Sequence, residues 1–554
     1  MSDRIDRRTF LARGAATTAG IAAIGGSGGI LAACGSGSGS GSGSGHQGTH
    51  PNGVTSATPK RGGKLVFGVE AEEKGFNPTT ATFDATGVLY ARTVFDPLAI
   101  VGADGSVQPY LAESITRNGD GTVWTITLRP NVVFHDGTPF DAAALITNFK
   151  AQQKALLTGP ALTNIASVAA TGPLSVTVTM HTPWVPFDYY LCGGIGGQIA
   201  YPVAPSMLAN PNGTTHPVGT GPFVFSEWVQ NDHFTATRNP HYWRPGLPYL
   251  DTIEYRPITD SQQIFQSLQT GVIDIMHTST PSVTGQLQAL ASYGYVDDSK
   301  NIVGEPDMAC VLLNLSKPPF DDIRVRQAAA AAVSSAEYVK VIGKGLVPTS
   351  NGPFVPGTPY YGSTGYPTYD PARARSLLAE VGHPVSFTLN HVPDPSTTQI
   401  AQFLQSQFTT VGIDVRLNPI QQAQLINTAL TGGFQAQVWR QFSAVNPDLN
   451  YIFWSPTQIN PVFSINMARN TDPAMEAALQ KGRRATDPAS AAAAYQEVGS
   501  LMGKDIPYLW TARTVWAIGA QPKVQNFNNP TTPAGTPAFG MISGTVWPTQ
   551  IWLE

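Results

Sequence analysis

Asp260-Ser261-Gln262-Gln263-Ile264-Phe265-Gln266-Ser267-Leu268-Gln269-Thr270-Gly271-Val272-Ile273-Asp274-Ile275 holds a helix start, a helix stop and a strand in one short stretch. Asp260-Ser261 can cap a helix, because a short side-chain oxygen satisfies the free N–H groups of a first turn. Ile264, Phe265 and Leu268 then share one helical face. Gly271 predicts the stop, and Val272-Ile273-Asp274-Ile275 predicts the next strand. The same grammar recurs downstream. Asp370-Pro371 opens a helix with proline at its first position, running to Gly382, and Phe387 to Leu389 reads as a strand. Ile400, Phe403, Leu404, Phe408 and Val411 mark a helix that stops at Gly412, before the strand Ile413-Asp414-Val415. Ser334-x-x-Glu337 is a capping box. Upstream, Lys64 to Val69 reads as a first strand. Thr122 to Leu128 alternates with Trp124, Ile126 and Leu128 on one face, and Val176 to Met180 alternates likewise. Phe223 to Trp228 and Phe234 to Arg238 flank Asn231-Asp232, a hairpin signal. Strand–helix–strand units in both halves predict α/β or α+β. No fixed-period repeat is visible, which excludes a solenoid.

The chain has 554 residues, which suggests roughly three to four domains or fewer large ones. Hydrophobic residues make up 42%, enough for a substantial core, and charged residues only 13%, about half the ~25% of ordinary soluble domains. The 55 glycines and 45 prolines signal many turns. A net charge of −4 offers no basic field, so nucleic-acid binding is excluded. Three cysteines exclude a disulfide framework and a cysteine-based zinc module. Beyond the N-terminus no apolar run is long enough for a membrane span.

Residues 1–33 read as an export signal. Arg7-Arg8-Thr9-Phe10-Leu11 looks like a twin-arginine start, and a weakly apolar stretch follows from Gly14 to Ile30. Leu31-Ala32-Ala33-Cys34 looks like a bacterial lipobox, in which Cys34 is lipidated and becomes the first residue. Residues 34–60 would then be a tether, with Gly/Ser repeats to Gly45, keeping a folded body close to a membrane. Removing residues 1–33, with four arginines and two aspartates, takes the net charge from −4 to −6. Two motifs here are compositional accidents. Gly25-Gly26-Ser27-Gly28-Gly29 fits G-x-S-x-G, and Gly43 to Gly48 fits G-x-G-x-x-G, but neither follows a strand or opens a helix. Cys192 and Cys310 read as buried free thiols.

Enzymatic signatures are otherwise missing. Outside the signal and linker there is no G-x-S-x-G, H-E-x-x-H or C-x-x-C. His46 and His50 lie in the tether, where no helix would align them. His135-Asp136-Gly137 leads into Thr138-Pro139 and reads as a turn rather than a catalytic pair. No carboxylate pair suited to glycoside hydrolysis is marked. Neither a cofactor nor a metal is called for. The aromatics are the other resource. Trp439-Arg440-Gln441-Phe442 follows a predicted strand, Ala436 to Val438, and precedes Asn446-Pro447-Asp448. Strand ends leading into loops are where open α/β sheets bind ligands. A flat ring beside a guanidinium and a carboxylate suits a polar organic ligand with apolar parts.

A longer series of motifs resembles one known family. Leu111-Ala112-Glu113-Ser114 is followed by Asp120-Gly121-Thr122 and by Arg129-Pro130-Asn131-Val132-Val133-Phe134-His135-Asp136-Gly137-Thr138-Pro139-Phe140. Gly219-Thr220-Gly221-Pro222-Phe223, Arg238-Asn239-Pro240-His241-Tyr242-Trp243 and Leu268 to Asp274 come next. Pro319-Phe320-Asp321-Asp322-Ile323-Arg324-Val325-Arg326-Gln327-Ala328, Asp370-Pro371-Ala372-Arg373-Ala374 and Gly412-Ile413-Asp414-Val415 complete the set. In this order, from about Gly62 to the C-terminus, they resemble the family 5 solute-binding proteins of ATP-driven importers, the peptide- and nickel-binding group.

The resemblance implies an α/β periplasmic-binding-protein-like fold of the type II, large peptide-binding class. Lobe one would take residues 61–305 and 515–554, and lobe two 306–514, hinged around a cleft. The implied function is ligand capture outside the cell and delivery to an ABC permease, with no catalysis. The protein would be a monomer anchored by lipid to the outer face of the cytoplasmic membrane. Within the signature block, Asp141 would cap a helix from Ala142 to Lys150. Gly219-Thr220-Gly221 would serve backbone geometry. A di- or oligopeptide is the first expectation for the ligand. The alternatives are an oligosaccharide, an opine-like or other small organic compound, and, last, a metal chelate or an exported hydrolase on the same fold. Peptide-binding relatives place an acidic residue just before the loop matching Asn446-Pro447-Asp448, where it pairs with the peptide ammonium. Here Ser443 to Asn446 carry no charge, so Asp448 is the substitute anchor. The candidate ligand-binding residues are Phe76, Asn77, Thr82, Phe83, Trp439, Arg440, Phe442 and Asp448.

Overall fold

The computed structural model describes residues 58–554 apart from Thr82, 194–196, 301–305 and Ser443. Cys34 and the export signal, like Thr82, lie outside the described residues.

Two mixed sheets organise the molecule into two lobes. The first has seven strands, in the spatial order Gly294–Asp297, Ala517–Ala520, Ile275–Thr278, Lys64–Val69, Thr252–Pro257, His233–Arg238 and Phe223–Val229. Lys64–Val69 pairs in parallel with Thr252–Pro257 and Ile275–Thr278, and the outer strands are antiparallel. The second sheet has five strands, in the order Asp414–Pro419, Ser386–His391, Ala436–Gln441, Met308–Leu313 and Tyr508–Arg513. Its first three are mutually parallel. A separate four-stranded antiparallel sheet is built from Ala112–Arg117, Val123–Leu128, Ser175–Met180 and Ile165–Gly172. The sequence reading found two of these strands, through the inward alternation of Trp124, Ile126 and Leu128, without setting the sheet apart.

Local chemistry explains the helices. Asp260 caps Ser261–Gln269, accepting from the Gln262 and Gln263 amides, and Ile264, Phe265 and Leu268 are the buried face. The strand that follows begins at Ile275, later than the sequence pattern suggests. Val272 is half exposed, while Ile273 folds back into the core and Asp274 accepts from the Val66 amide. Pro371–Val381 and Pro395–Val411 both have proline in the first turn, an aspartate cap and a glycine stop, Gly382 at φ 81° and Gly412 at φ 92°. That left-handed backbone is what glycine supplies cheaply. Burying Leu404 and Phe408 against the five-stranded sheet contributes about 2–3 kcal/mol each. The capping box is half formed. The Ser334 hydroxyl accepts from the Glu337 amide, but Gln407 replaces the return bond, contacting both the Ser334 amide and the Glu337 carboxylate.

The motif block around His135 is architectural. Asp141 caps Ala142–Lys154. His135 Nε2 donates to the Gly221 carbonyl at 3.0 Å, and its Nδ1 faces the Gly219 amide at 3.4 Å. Burial lowers its pKa to about 4, so the ring is neutral and both nitrogens are committed to the backbone. Gly219 and Gly221 are needed because a Cβ at either would lie within 2.6 Å of the Val94 carbonyl oxygen. Cys192 and Cys310 are both free and buried.

The chain passes between the two large sheets twice, from Gly294–Asp297 to Met308–Leu313 and from Tyr508–Arg513 to Ala517–Ala520. The two crossings are stitched together. Asp298 accepts from the Trp516 amide at 3.0 Å, Trp516 Nε1 donates to Asp307 at 2.6 Å, and Arg513 donates to the Asp298 and Ser299 carbonyls. Among the described residues, no helix is long and apolar enough to cross a membrane.

Candidate ligand cleft

The carboxyl ends of the parallel strands in both sheets point at one cavity of about 950 Å³. Residues directly after Lys64–Val69, Thr252–Pro257 and Ile275–Thr278 form one wall. Residues after Ser386–His391 and Asp414–Pro419 form the other, together with the ends of Ala436–Gln441 and Tyr508–Arg513. Side chains there are set by the strands, while the loops stay free to vary.

Trp439, Arg440 and Phe442 line this cavity, as does Phe83. Trp439 and Arg440 sit inside the strand Ala436–Gln441, which extends three residues beyond the sequence pattern because it pairs along its whole length with Met308–Leu313. Trp439 meets Phe442 edge-on at 6.2 Å, and Phe442 contacts Phe453 at 5.4 Å. These rings make an apolar wall.

Arg440 spans the cavity floor. It donates to Ser279 Oγ at 3.1 Å, lies 3.8 Å from both Glu70 and Asp307, and covers the Trp516 ring at 4.7 Å. Glu70 follows the first strand. Its backbone N–H donates to His277 Nε2 at 3.1 Å, so the His277 proton is on Nδ1, which faces the Gly544 carbonyl at 3.1 Å. Burial lowers the His277 pKa to about 4. Burial raises the Glu70 carboxyl to about 7; Arg440 opposes the shift, and Asp84 and Asp307 add to it. A third of the Glu70 side chain nonetheless stays open, toward the cavity.

Glu73 and Asp84 line the same wall. Asp84 caps Ala85–Val94, accepting from the Thr86 and Gly87 amides. Glu73 packs over that first turn, so that a Cβ at Gly87 would lie 2.7 Å from its Oε1. Burial, then Asp84, pushes the Glu73 carboxyl well above the usual range, so protonated Glu73 donates to Asp84.

Three of the sequence candidates lie elsewhere. Phe76 is in the core, 4.9 Å from Trp228 and 5.0 Å from Phe234. Asn77 closes a turn, accepting from the Thr79 amide and hydroxyl. Asp448 is 1% exposed and does not line the cavity. It pairs with Arg483 at 3.0 Å and accepts from Trp184 Nε1 at 2.6 Å, so its carboxylate is already spent. What the sequence reading passed over is the acidic run Glu70, Glu72 and Glu73. Its position directly after a strand was the available signal. Among the described residues, no group of three or more His, Cys, Asp or Glu side chains is placed to hold a metal.

The profile of bacterial extracellular solute-binding proteins, family 5, matches residues 106–460. The chain belongs to this family. Family 5 members are the substrate-binding proteins of ABC importers and not enzymes. A glutathione-binding protein, GsiB of Salmonella paratyphi A, is 30% identical over 459 residues, covering 78% of this chain and 87% of the relative. Two solved structures share the fold. DppA of Helicobacter pylori, in complex with the peptide STSA, superposes with a TM-score of 0.78 at 24% identity, covering 89% of this chain and 99% of the other. AgaA of A. tumefaciens R10, in complex with agropinic acid, gives a TM-score of 0.78 at 22% identity with the same coverage. In this chain the cavity lies between the two large sheets.

Proposed function

We propose that this family 5 protein is the capture component of a peptide importer, taking up a di- or oligopeptide between its lobes and releasing it to an ABC permease. The lobes of this reading are 61–305 with 515–554, and 306–514. The strands of each large sheet fall within one of these ranges. The single observation that carries the reading is the cavity at the carboxyl ends of both sheets, which places an apolar wall of Trp439 and Phe442 across from backbone and carboxylates. A peptide presents both kinds of surface. The peptide named in the DppA complex and the glutathione named for GsiB support this class. Ligand affinity for the closed arrangement drives closure about the two crossings. Cys34, lipidated, with its Gly/Ser tether holds the protein at the membrane and raises its effective concentration near the permease.

Titrating the purified chain with a defined tripeptide library, and weighing the peptides afterwards, tests this. Saturable one-to-one binding with every peptide recovered intact is expected. Cleaved peptide, or binding to none of the library, contradicts it. The agropinic acid of the AgaA complex motivates the second reading, a non-peptide organic acid held by Arg440.

A further inference from the structure

We propose that Glu70, Glu73 and Asp84 form a cation subsite in the cleft, which receives the ligand's ammonium or guanidinium group and gives up a proton as it does so. This rests on the cleft being the ligand site.

The first argument is geometric. The three carboxyls come from two segments, the run after the first strand and the cap of Ala85–Val94, and all three line the cavity. The second is an occupant already present. The Arg440 guanidinium, carried by the opposite lobe, reaches to 3.8 Å from Glu70, and both side chains remain about a third open. This contact is loose, whereas a direct charge-assisted hydrogen bond is about 2.8 Å long. Arg440 keeps Ser279, Asp307 and the Trp516 ring when it yields Glu70 to a ligand. The third is backbone precision. His277, neutral and buried, fixes the Glu70 amide through a bond that only one of its tautomers can make.

The proton follows from burial and from crowding. Glu73 faces Asp84 and Glu72 with Tyr90 beside it, and Glu70 faces Asp84, Asp307 and Arg440. Glu72 is occupied, accepting from Trp228 Nε1 at 3.1 Å and from the Asn231 amide at 2.6 Å. Burial first, and the neighbouring carboxylates second, keep Glu73 protonated and raise Glu70 to about 7, with Arg440 opposing the shift at Glu70. A cation brought among them favours the ionised forms, and a proton leaves for solvent. Affinity for a cationic ligand therefore rises with pH from about 5 to about 7, until the ligand's own ammonium begins to titrate near 8.

The test uses three probes on the full chain: trialanine, N-acetyl-trialanine, and N-acetyl-Ala-Lys-Ala. Calorimetric titrations are run in two buffers of different ionisation enthalpy. Trialanine is expected to bind roughly ten- to a hundredfold more tightly than its acetylated form, with proton release, and Glu70→Gln should remove most of that difference. Recovery of affinity with N-acetyl-Ala-Lys-Ala assigns the subsite to a side-chain cation; no recovery assigns it to the α-ammonium. Equal binding of all three probes, unchanged in Glu70→Gln, overturns the subsite and leaves the peptide reading standing. Binding by none of the three overturns both. Glu73→Gln, which keeps the shape of a protonated glutamate, is the second variant. It should reduce the buffer-dependent heat without unfolding the protein, and a proton count unchanged in both Glu70→Gln and Glu73→Gln would overturn the release step.

Discussion

Replacing Asp448 by alanine should destabilise the protein severely. Asp448 and Arg483 form an ion pair at 3.0 Å with side chains 1% and 4% exposed. The guanidinium is sandwiched, 3.7 Å from the Tyr451 ring centre and 4.5 Å from that of Trp184. Trp184 Nε1 donates to the carboxylate at 2.6 Å, and Tyr190 donates to the Asp448 carbonyl at 2.6 Å. Alanine leaves Arg483 charged without the carboxylate it pairs with, and leaves the Trp184 N–H unmatched. Breaking a buried pair from one side costs about 3–5 kcal/mol, whereas replacing both partners with apolar groups of similar volume is often neutral. At about 2–4 °C per kcal/mol for a lobe of this size, Asp448→Ala should lower Tm by roughly 6–20 °C. Asp448→Leu combined with Arg483→Met should recover much of that loss. Thermal unfolding followed by circular dichroism measures both. A single variant that unfolds within a degree of the wild type would refute the reasoning, and would return Asp448 to the pool of carboxylates free for a ligand.

Three other outcomes are expected. Gly221→Ala drives a methyl against the Val94–Phe95 backbone, 2.4 Å from the Val94 carbonyl carbon; a loss of about 1–3 kcal/mol in urea unfolding is expected. His277 is held neutral at about 4 against an ordinary value of 6.5, so its contribution to stability is present above pH 6.5 and lost as pH falls toward 4. Wild-type stability measured against His277→Gln should therefore decline through that window, by on the order of 3 kcal/mol; parallel curves would contradict the buried neutral ring. Trp439→Ala removes a large ring from the cleft wall and should weaken ligand binding by roughly five- to thirtyfold; because Trp439 is buried in the core, Tm of the unliganded protein should fall as well.

Much of the fold was legible because its signals are local. A cap, an apolar face and a glycine stop are all local signals, as at Asp260, Asp370 and Gly412. The strand Ala436–Gln441 ran longer than its pattern because cross-strand pairing with Met308–Leu313, not local sequence, sets its end. The site was legible in part. Trp439, Arg440 and Phe442, picked out by their place at a strand end, and Phe83, picked out by its loop, line the cavity. Phe76 and Asp448 are the instructive cases. An aromatic near a cleft and a carboxylate in a loop are ambiguous until their partners are known. The partner of Asp448 that closes its second oxygen, Trp184, lies 264 residues away in the chain. The convergence of Glu70 with Arg440 is equally non-local. No spacing rule announces it.

The central claim is that the cleft captures peptides. Native mass spectrometry of the full chain purified from a bacterial host, with the bound species released and weighed, tests it most directly. The account predicts a population of released species separated by amino-acid mass differences. Hexose steps, or a cleft that stays empty after incubation with peptide mixtures, would contradict it.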